Sequence, residues 1–263
     1  MIESVILGMV QGIAEWLPIS SEGALVLVQT NMFGESSITH AIGMAVFLHL
    51  GTFFAATIYF RKDVLALLKT LTRYKSASVE NKKLFNFLFI ATLVSGCIGA
   101  VLLSLLSGAE DQLLKTTSIV TGGVGVLLLA TGVIQLRARS IGERAVEQST
   151  ARDSILLGVI QGFAVLPGLS RSGLTVSALL LRGYRDDVAL RLSFLMSLPI
   201  VLAGNILLGL RSVSFSLESA VALLVSFVFG LLSINILLRL ARAVQFGYFV
   251  VVFGILMIIA AFV

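Results

Sequence analysis

Long apolar stretches recur along the chain, and charged residues are concentrated between them. A helix of about 20 predominantly apolar residues is long enough to cross the hydrocarbon core of a bilayer. Six stretches have this length. The pattern therefore predicts six transmembrane helices, at residues 40–60, 84–107, 116–136, 188–210, 218–238 and 245–263.

Two further apolar regions, residues 1–30 and 151–182, do not fit one straight span. They are interrupted by Pro18 and Pro167, by glycines and by polar side chains. Irregular backbone at membrane depth is tolerated only where it is buried in protein or lines a water-filled cavity. Each region is therefore predicted to form a re-entrant helical hairpin.

The two interrupted regions also resemble each other in sequence. Residues 7–14 align with 157–164, and five of the eight positions are identical. Each half then contains one hairpin and three spans, and because three is odd the second half inserts upside down, as in many transporter folds. We predict an all-α, polytopic, single integral membrane domain over 1–263, with inverted repeats at about 1–138 and 151–263.

Composition and charge agree with a membrane location. Hydrophobic residues make up 57% of the chain and charged residues 13%, against about 45–50% and about 25% in soluble domains. The net charge of +5 does not indicate nucleic-acid binding, because Lys and Arg cluster between the spans. The first fifteen residues contain no Lys or Arg, so no cleavable signal peptide is expected.

The distribution of Lys and Arg predicts the orientation in the plasma membrane. With the loop 61–83 in the cytoplasm, that side carries fifteen Lys or Arg, and the opposite side carries only Lys115 and Arg211. Cytoplasmic loops are enriched in Lys and Arg. Both termini are therefore expected outside, so that the two hairpins enter from opposite faces and their tips meet.

The tip of the second hairpin carries an arginine and three hydroxyls within apolar sequence. An ionisable side chain at membrane depth costs a few kcal/mol or more, so it indicates a functional site. A helix N-terminus and a guanidinium both favour phosphate oxygens. The candidate phosphate-binding residues are Gly168, Ser170, Arg171, Ser172 and Thr175.

The tip of the first hairpin is acidic. Gln11 and Glu15 lie one helical turn apart, and Ser20, Ser21 and Glu22 follow the proline. Carboxylates that face a phosphate repel it unless a divalent cation intervenes or one of them accepts a proton.

Structural interpretations stay open beside these functional ones. The hydroxyls of the second tip would then only hydrogen-bond the backbone or a neighbouring helix. Arg171 would form an ion pair with Glu15 or Glu22 and bind no substrate. His49, inside the first span, is interpreted as a buried neutral histidine.

The small residues of the repeat also have a structural interpretation. The spacing Gly8-x-x-x-Gly12, matched by Gly158-x-x-x-Gly162, predicts close helix packing.

The chain resembles the bacitracin-resistance family of undecaprenyl-diphosphate phosphatases in three motifs, Pro167-Gly168-x-Ser170-Arg171-Ser172-Gly173-x-Thr175, Glu15-x-Leu17-Pro18-x-Ser20-Ser21-x-Gly23 and His49-Leu50-Gly51-Thr52. The resemblance implies removal of the terminal phosphate from a polyprenyl diphosphate, which recycles the lipid carrier for cell-envelope glycan assembly. It also implies a divalent cation, Mg²⁺ or Ca²⁺, and an inverted-repeat membrane fold.

The resemblance also assigns roles. Arg171 and the hydroxyls of its motif bind the diphosphate, Ser21 is the candidate nucleophile or phosphate ligand, and Glu15 is the second acidic residue of a Glu-x-x-x-Glu pair. Two positions depart from the family, Gln11 for the first glutamate and Ala24 for a histidine. Neither replacement can take a proton. Glu22 is an extra carboxylate and a candidate replacement for the lost base, and Glu15 and Glu22 are the candidate metal ligands.

Two functions are therefore expected, in this order. The first is hydrolysis of a polyprenyl diphosphate by water or through Ser21, with charge stabilised by Arg171. The alternative is a polyprenyl-phosphate transporter that uses the inverted repeat for alternating access. The expected partners are the lipid diphosphate and the membrane, with a homodimer left open.

Overall fold

The structure is a computed structural model that describes residues 1–17, 19–35, 37–106, 122–123, 125–126, 128–130, 132–133, 136, 142–166, 169–209, 213, 215–243 and 246–260. Over these residues the chain is helical and contains no β-strand, which confirms the all-α class. The main helices are α1 Ile2–Ala14, α2 Ser21–Phe33, α3 Ile38–Tyr59, α4 Arg61–Thr72, α5 Val79–Leu106, α6 Ala151–Phe163, α7 Arg171–Leu181, α8 Asp186–Gly204, α9 Leu217–Ala243 and α10 Phe246–Ala260.

Four described helices are long and apolar enough to cross a membrane, and each matches a predicted span. They are His40–Tyr59, Val79–Leu105, Asp186–Leu207 and Leu217–Arg239. The predicted span 245–263 contains α10, which has 15 residues. Most of the predicted span 116–136 lies outside the described residues, as do Lys115 and Arg211.

One predicted boundary is wrong because a cap extends the helix beyond its apolar stretch. The apolar run predicts a start at residue 84, whereas α5 begins at Val79. The hydroxyl of Ser78 accepts a hydrogen bond from the backbone N–H of Asn81 at 3.2 Å. Such a cap satisfies a backbone donor of the first turn, so the helix continues through a polar turn.

The helices of the two interrupted regions are short. α1 and α2 have 13 residues each, α6 has 13 and α7 has 11. At about 1.5 Å per residue, none of them exceeds about 20 Å, which is shorter than the hydrocarbon core of about 30 Å. Neither region is therefore a single straight span, as predicted.

The second helix of each region begins with the same serine cap. Ser20 precedes α2 with φ −76° and ψ 105°, and Ser170 precedes α7 with φ −76° and ψ 107°. Each hydroxyl accepts the N–H of the glycine three residues later, at 3.1 Å from Gly23 and 3.0 Å from Gly173. The repeat therefore extends from sequence to backbone conformation.

The repeated glycines allow each half to pack against the other. A Cβ atom at Gly8 would lie 2.5 Å from the carbonyl oxygen of Ala222 in α9. A Cβ atom at Gly158 would lie 2.8 Å from the carbonyl oxygen of Ala91 in α5. The predicted close packing is confirmed, and the first helix of each half contacts a long helix of the other half.

Buried polar contacts fix the beginning of the second hairpin. The buried carboxylate of Asp153 accepts hydrogen bonds from Arg144 at 2.7 Å, Arg182 at 2.7 Å and the hydroxyl of Tyr184 at 3.2 Å. Burial, together with the adjacent Asp153 carboxylate, raises the pKa of Tyr184 to about 12. Two arginines compensate the buried charge, and the cluster connects α6 to the loop between α7 and α8.

Candidate active site

Glu15 lies at the centre of the polar cluster where the two interrupted regions meet. It follows α1 directly and is 4% exposed. Its Oε2 atom accepts a hydrogen bond from Nε2 of Gln11 at 2.9 Å and from the hydroxyl of Ser21 at 3.0 Å. These three residues therefore lie close together, as predicted. Gln11, one helical turn before Glu15, orients the carboxylate.

Arg171, the first residue of α7, connects the two regions. Its Nη2 atom donates to Oε1 of Glu15, and its Nη1 atom donates to the carbonyl oxygen of Ser193 in α8 at 3.3 Å. The ion pair that the sequence left open is thus formed with Glu15. A guanidinium has five N–H donors, and within the described part of the chain these two bonds leave its remaining donors for another acceptor.

The turns themselves also contact each other. The hydroxyl of Ser172 donates to the carbonyl oxygen of Leu17 at 2.6 Å. Trp16 packs against Phe194 of α8, with ring centroids 4.8 Å apart. The two turns are therefore joined by a polar contact, and the first turn also packs against α8 through an aromatic pair.

His49 is part of this cluster, and its ring contacts a carboxylate that the sequence did not place beside it. Its Nε2 atom lies 3.1 Å from Oε2 of Glu15, and its Nδ1 atom lies 2.6 Å from the carbonyl oxygen of Ala45. A carbonyl and a carboxylate are both acceptors, so the two contacts together suit the doubly protonated ring. His49 thus brings an imidazole that can carry a proton into contact with Glu15. Neither hairpin sequence contains such a group.

Glu22 contributes a second carboxylate in the first turn of α2. It is close enough to His49 and Glu15 to interact with both electrostatically. Within the described part of the chain, its carboxylate makes no hydrogen bond or ion pair. Glu15 and Glu22 therefore differ in kind, because the first is fully engaged by protein donors and the second is not.

The hydroxyls predicted to bind phosphate are buried and bonded to the protein. The hydroxyl of Ser170 caps α7 and lies 3.2 Å from that of Ser172. The hydroxyl of Thr175 donates to the carbonyl oxygen of Arg171 at 2.8 Å and lies 2.7 Å from that of Ser193. These contacts hold the turn and the start of α7 in place.

Direct contact of these hydroxyls with a phosphate stays a prediction. Ser20, the equivalent cap of α2, is engaged in the same way by Gly23. Gly168, also predicted to contact phosphate, lies outside the described residues, as do Pro18 and Pro167.

The site does not fit a metal ion held by protein groups alone. Among the described residues, no group of three or more His, Cys, Asp or Glu side chains could hold a metal ion. Both oxygens of Glu15 already accept hydrogen bonds, from Gln11, Ser21 and Arg171. No step below is therefore assigned to a cation.

Comparison with known proteins agrees with the motifs. A family model described as "Bacitracin resistance protein BacA" matches residues 4–259. An undecaprenyl-diphosphatase of Methanococcoides burtonii is 42% identical over 99% of this chain and 98% of the relative. Relatives with the same name are 40% identical in Haloarcula marismortui (95% of this chain, 93% of the relative) and 37% identical in Methanothrix thermoacetophila (97% and 94%). The match over nearly the whole chain, together with these relatives, shows that the chain belongs to the BacA family of bacitracin-resistance proteins.

Proposed function

We propose that the chain hydrolyses a polyprenyl diphosphate of the undecaprenyl type to the monophosphate and inorganic phosphate, and so recycles the lipid carrier for cell-envelope glycan synthesis. One observation carries the proposal. The Glu15 carboxylate contacts a hydroxyl, an imidazole and a guanidinium, those of Ser21, His49 and Arg171. The names of the relatives favour hydrolysis over transport, the alternative raised by the repeat.

In the proposed mechanism, Glu15 accepts a proton as the nucleophile attacks. The nucleophile is the Ser21 hydroxyl, which already donates to Glu15, or a water molecule in its place. Its oxygen forms a bond to the terminal phosphorus, and the bond from that phosphorus to the bridging oxygen breaks. If Ser21 attacks, water then hydrolyses the phosphoserine and restores the hydroxyl.

Two cationic groups stabilise the charge that develops in this step. The free N–H donors of Arg171 and the N-terminus of α7 bind the oxygens of the transferred phosphoryl group. The His49 imidazolium donates a proton to the departing monophosphate, and Glu15 passes the proton it accepted to His49, which restores both groups. His49 therefore supplies an imidazole to the site although position 24 is an alanine here.

Glu22 is proposed as the free carboxylate of the site. Gln11 can orient Glu15 but cannot accept a proton, so Glu22 is the second carboxylate that can act as a base beside Glu15. Its position near His49 suits this role, and within the described residues its carboxylate makes no hydrogen bond. The divalent cation stays a prediction, tested by phosphate release after chelation and after return of Mg²⁺ or Ca²⁺.

For the architecture, we propose six spans and two re-entrant hairpins in inverted repeats at about 1–138 and 151–263, with both termini outside. The exchanged glycine packing, the matching caps and the Lys and Arg distribution support this arrangement. In a Cys97→Ala background, an impermeant maleimide should label Glu3→Cys from outside and Lys75→Cys only after permeabilisation. The reverse labelling would contradict the orientation.

A homodimer also stays a prediction, and the mass of the protein in detergent would test it.

The activity itself is tested with purified protein and a polyprenyl diphosphate. Wild type should release phosphate, and Glu15→Gln should reduce release by about 10²-fold or more. Glu218→Gln is a matched control, because that exposed carboxylate pairs with the N-terminus. A wild-type protein that binds the lipid and releases no phosphate would contradict the proposal.

A further inference from the structure

Helix α4 is too short and too charged to cross the membrane, yet it lies between two helices that are long enough to do so. It has 12 residues, and four of them are charged. At about 1.5 Å per residue it is about 18 Å long, against about 30 Å for the hydrocarbon core. The candidate span before it ends at Tyr59, and the one after it begins at Val79. Because both of its ends connect to spans, α4 lies near one surface of the membrane.

The inward face of α4 is fixed by an ion pair and a buried threonine. The carboxylate of Asp63 accepts hydrogen bonds from Nε of Arg191 at 3.3 Å and from Nη2 of the same guanidinium. Arg191 lies in the second turn of α8, and its Nη1 atom is 3.8 Å from Oε1 of Glu80. Thr70, which is 1% exposed, lies seven positions after Asp63 and therefore on the same face. Contacts with α8 thus determine which face of α4 points outward.

The outward face of α4 carries leucines and basic side chains next to each other. Leu65, Leu68 and Leu71 are spaced three positions apart and are 55%, 55% and 62% exposed. Lys62 and Lys69 are also exposed, and their spacing of seven positions places them on one side of the helix. Within the described part of the chain, neither ammonium group makes a hydrogen bond or ion pair. Exposed leucines beside basic side chains are typical of a helix that lies in a membrane interface.

We propose that α4 lies in the headgroup layer and binds anionic phospholipids. Its leucines then insert among the acyl chains, and Lys62 and Lys69 contact the lipid phosphates. The segment 61–83 contains seven Lys or Arg and only two carboxylates, and both carboxylates pair with Arg191. The segment therefore presents an excess of positive charge, which attracts anionic lipids at a membrane surface.

The leucines distinguish a lipid surface from other negatively charged partners. A soluble anion or an acidic polypeptide that bound only the lysines would leave three large apolar side chains in water, which is unfavourable. A lipid provides both an anionic headgroup and an apolar environment, and a lysine can reach the headgroup while its methylenes stay on apolar surface. α4 contributes no residue to the candidate active site, so its lipid contacts can be measured whether or not the protein releases phosphate.

The first test measures the depth of α4 in nanodiscs, in a Cys97→Ala background. A nitroxide at Leu68→Cys should be relaxed more strongly by oxygen, which is concentrated among acyl chains, than by a water-soluble nickel chelate. A nitroxide at Lys75→Cys, in the loop after α4, should show the reverse order. Stronger relaxation of the Leu68→Cys label by the chelate would overturn the proposal.

The second test measures which lipid surrounds α4. A fluorophore at Leu68→Cys is placed in bilayers of equal phosphatidylglycerol and phosphatidylcholine, in which only one of the two lipids is brominated and quenches. Brominated phosphatidylglycerol should quench more strongly. Lys62→Gln with Lys69→Gln should lower the relative binding constant for phosphatidylglycerol by about 5-fold or more, because each basic group near the surface contributes to the attraction.

The matched control removes two positive charges elsewhere. Arg152 and Arg239 are exposed and lie outside α4, so Arg152→Gln with Arg239→Gln should leave the relative binding constant near its original value. Equal quenching by the two lipids before any lysine is replaced would overturn the proposal, as would an equal fall in the control. Absence of quenching by either lipid would show that something other than lipid covers the leucines, and would overturn it as well.

Discussion

Nε2 of His49 lies 3.1 Å from Oε2 of Glu15, although the two residues belong to different helical regions of the chain. The same carboxylate binds Arg171 through its other oxygen. Glu15 is therefore held between two cationic groups, one on α3 and one on α7. This relationship makes the acidic side of the site more complete than its sequence indicates, because an imidazole is present without a histidine at position 24.

The role of His49 predicts a loss that a second histidine can partly restore. His49→Gln should lower kcat by about 10²- to 10⁴-fold, because the leaving monophosphate loses its proton donor. Adding Ala24→His to that variant should recover part of the rate, because it returns an imidazole to the position where the family has one. Phosphate release under saturating substrate measures both effects. His40→Gln is the control, since His40 is exposed and pairs with Glu35, and an equal loss in that control would contradict the assignment.

The pair of Arg171 and Glu15 separates a structural role from a substrate-binding one. Arg171→Met should abolish phosphate release and destabilise the protein by about 3–5 kcal/mol, because a buried carboxylate loses its partner. The double variant Arg171→Met with Glu15→Gln should regain most of the thermal stability, since no carboxylate at position 15 is left without its arginine and His49 can release its proton. It should remain inactive and should not bind inorganic phosphate. Recovery of activity together with stability would show that the pair is only structural.

Glu22 predicts a change in turnover with little change in stability. Its carboxylate has no hydrogen bond or ion pair within the described residues, so Glu22→Gln should leave the unfolding temperature near that of wild type. Turnover should fall by about 10²-fold if Glu22 acts as the second base. Glu3→Gln, an exposed change near the start of α1, is the control. Unchanged turnover in Glu22→Gln would rule out this role.

The first helix of each half packs closely against a helix of the other half. This packing predicts opposite effects of a Gly→Ala substitution at two positions. A Cβ at Gly12 would lie 2.7 Å from the backbone nitrogen of Gly230, whereas a Cβ at Gly96 meets nothing within 4 Å. Gly12→Ala should therefore destabilise the protein by about 1–3 kcal/mol. Gly96→Ala should stabilise it by about 0.5–1 kcal/mol through helix propensity. Thermal unfolding in one detergent compares the two, and equal shifts would contradict the packing.

Local sequence patterns predicted those features that depend on neighbours along the chain. The glycine spacing indicated close packing, and Gln11 was expected to face Glu15 because they lie four positions apart on one helix. Arg171 indicated an anion site because it lies at the predicted start of a helix, and both features can be identified from adjacent residues in the sequence.

The contacts that sequence could not predict join distant segments. His49 reaches Glu15 across 34 positions, and the hydrophobic pattern of a buried span does not tell which of its faces meets a hairpin. Arg191, placed inside a predicted span, instead pairs with Asp63 of α4. Such pairs depend on how the helices are arranged around each other. The hydrophobic pattern of one sequence does not determine that arrangement.

The most direct measurement follows both products from undecaprenyl diphosphate labelled in its terminal phosphate, with the purified protein in proteoliposomes. Hydrolysis at the Glu15 site predicts equal amounts of labelled inorganic phosphate and unlabelled lipid monophosphate, and loss of both products in Glu15→Gln. Movement of the intact, labelled diphosphate across the bilayer without phosphate release would contradict hydrolysis and would favour the transporter.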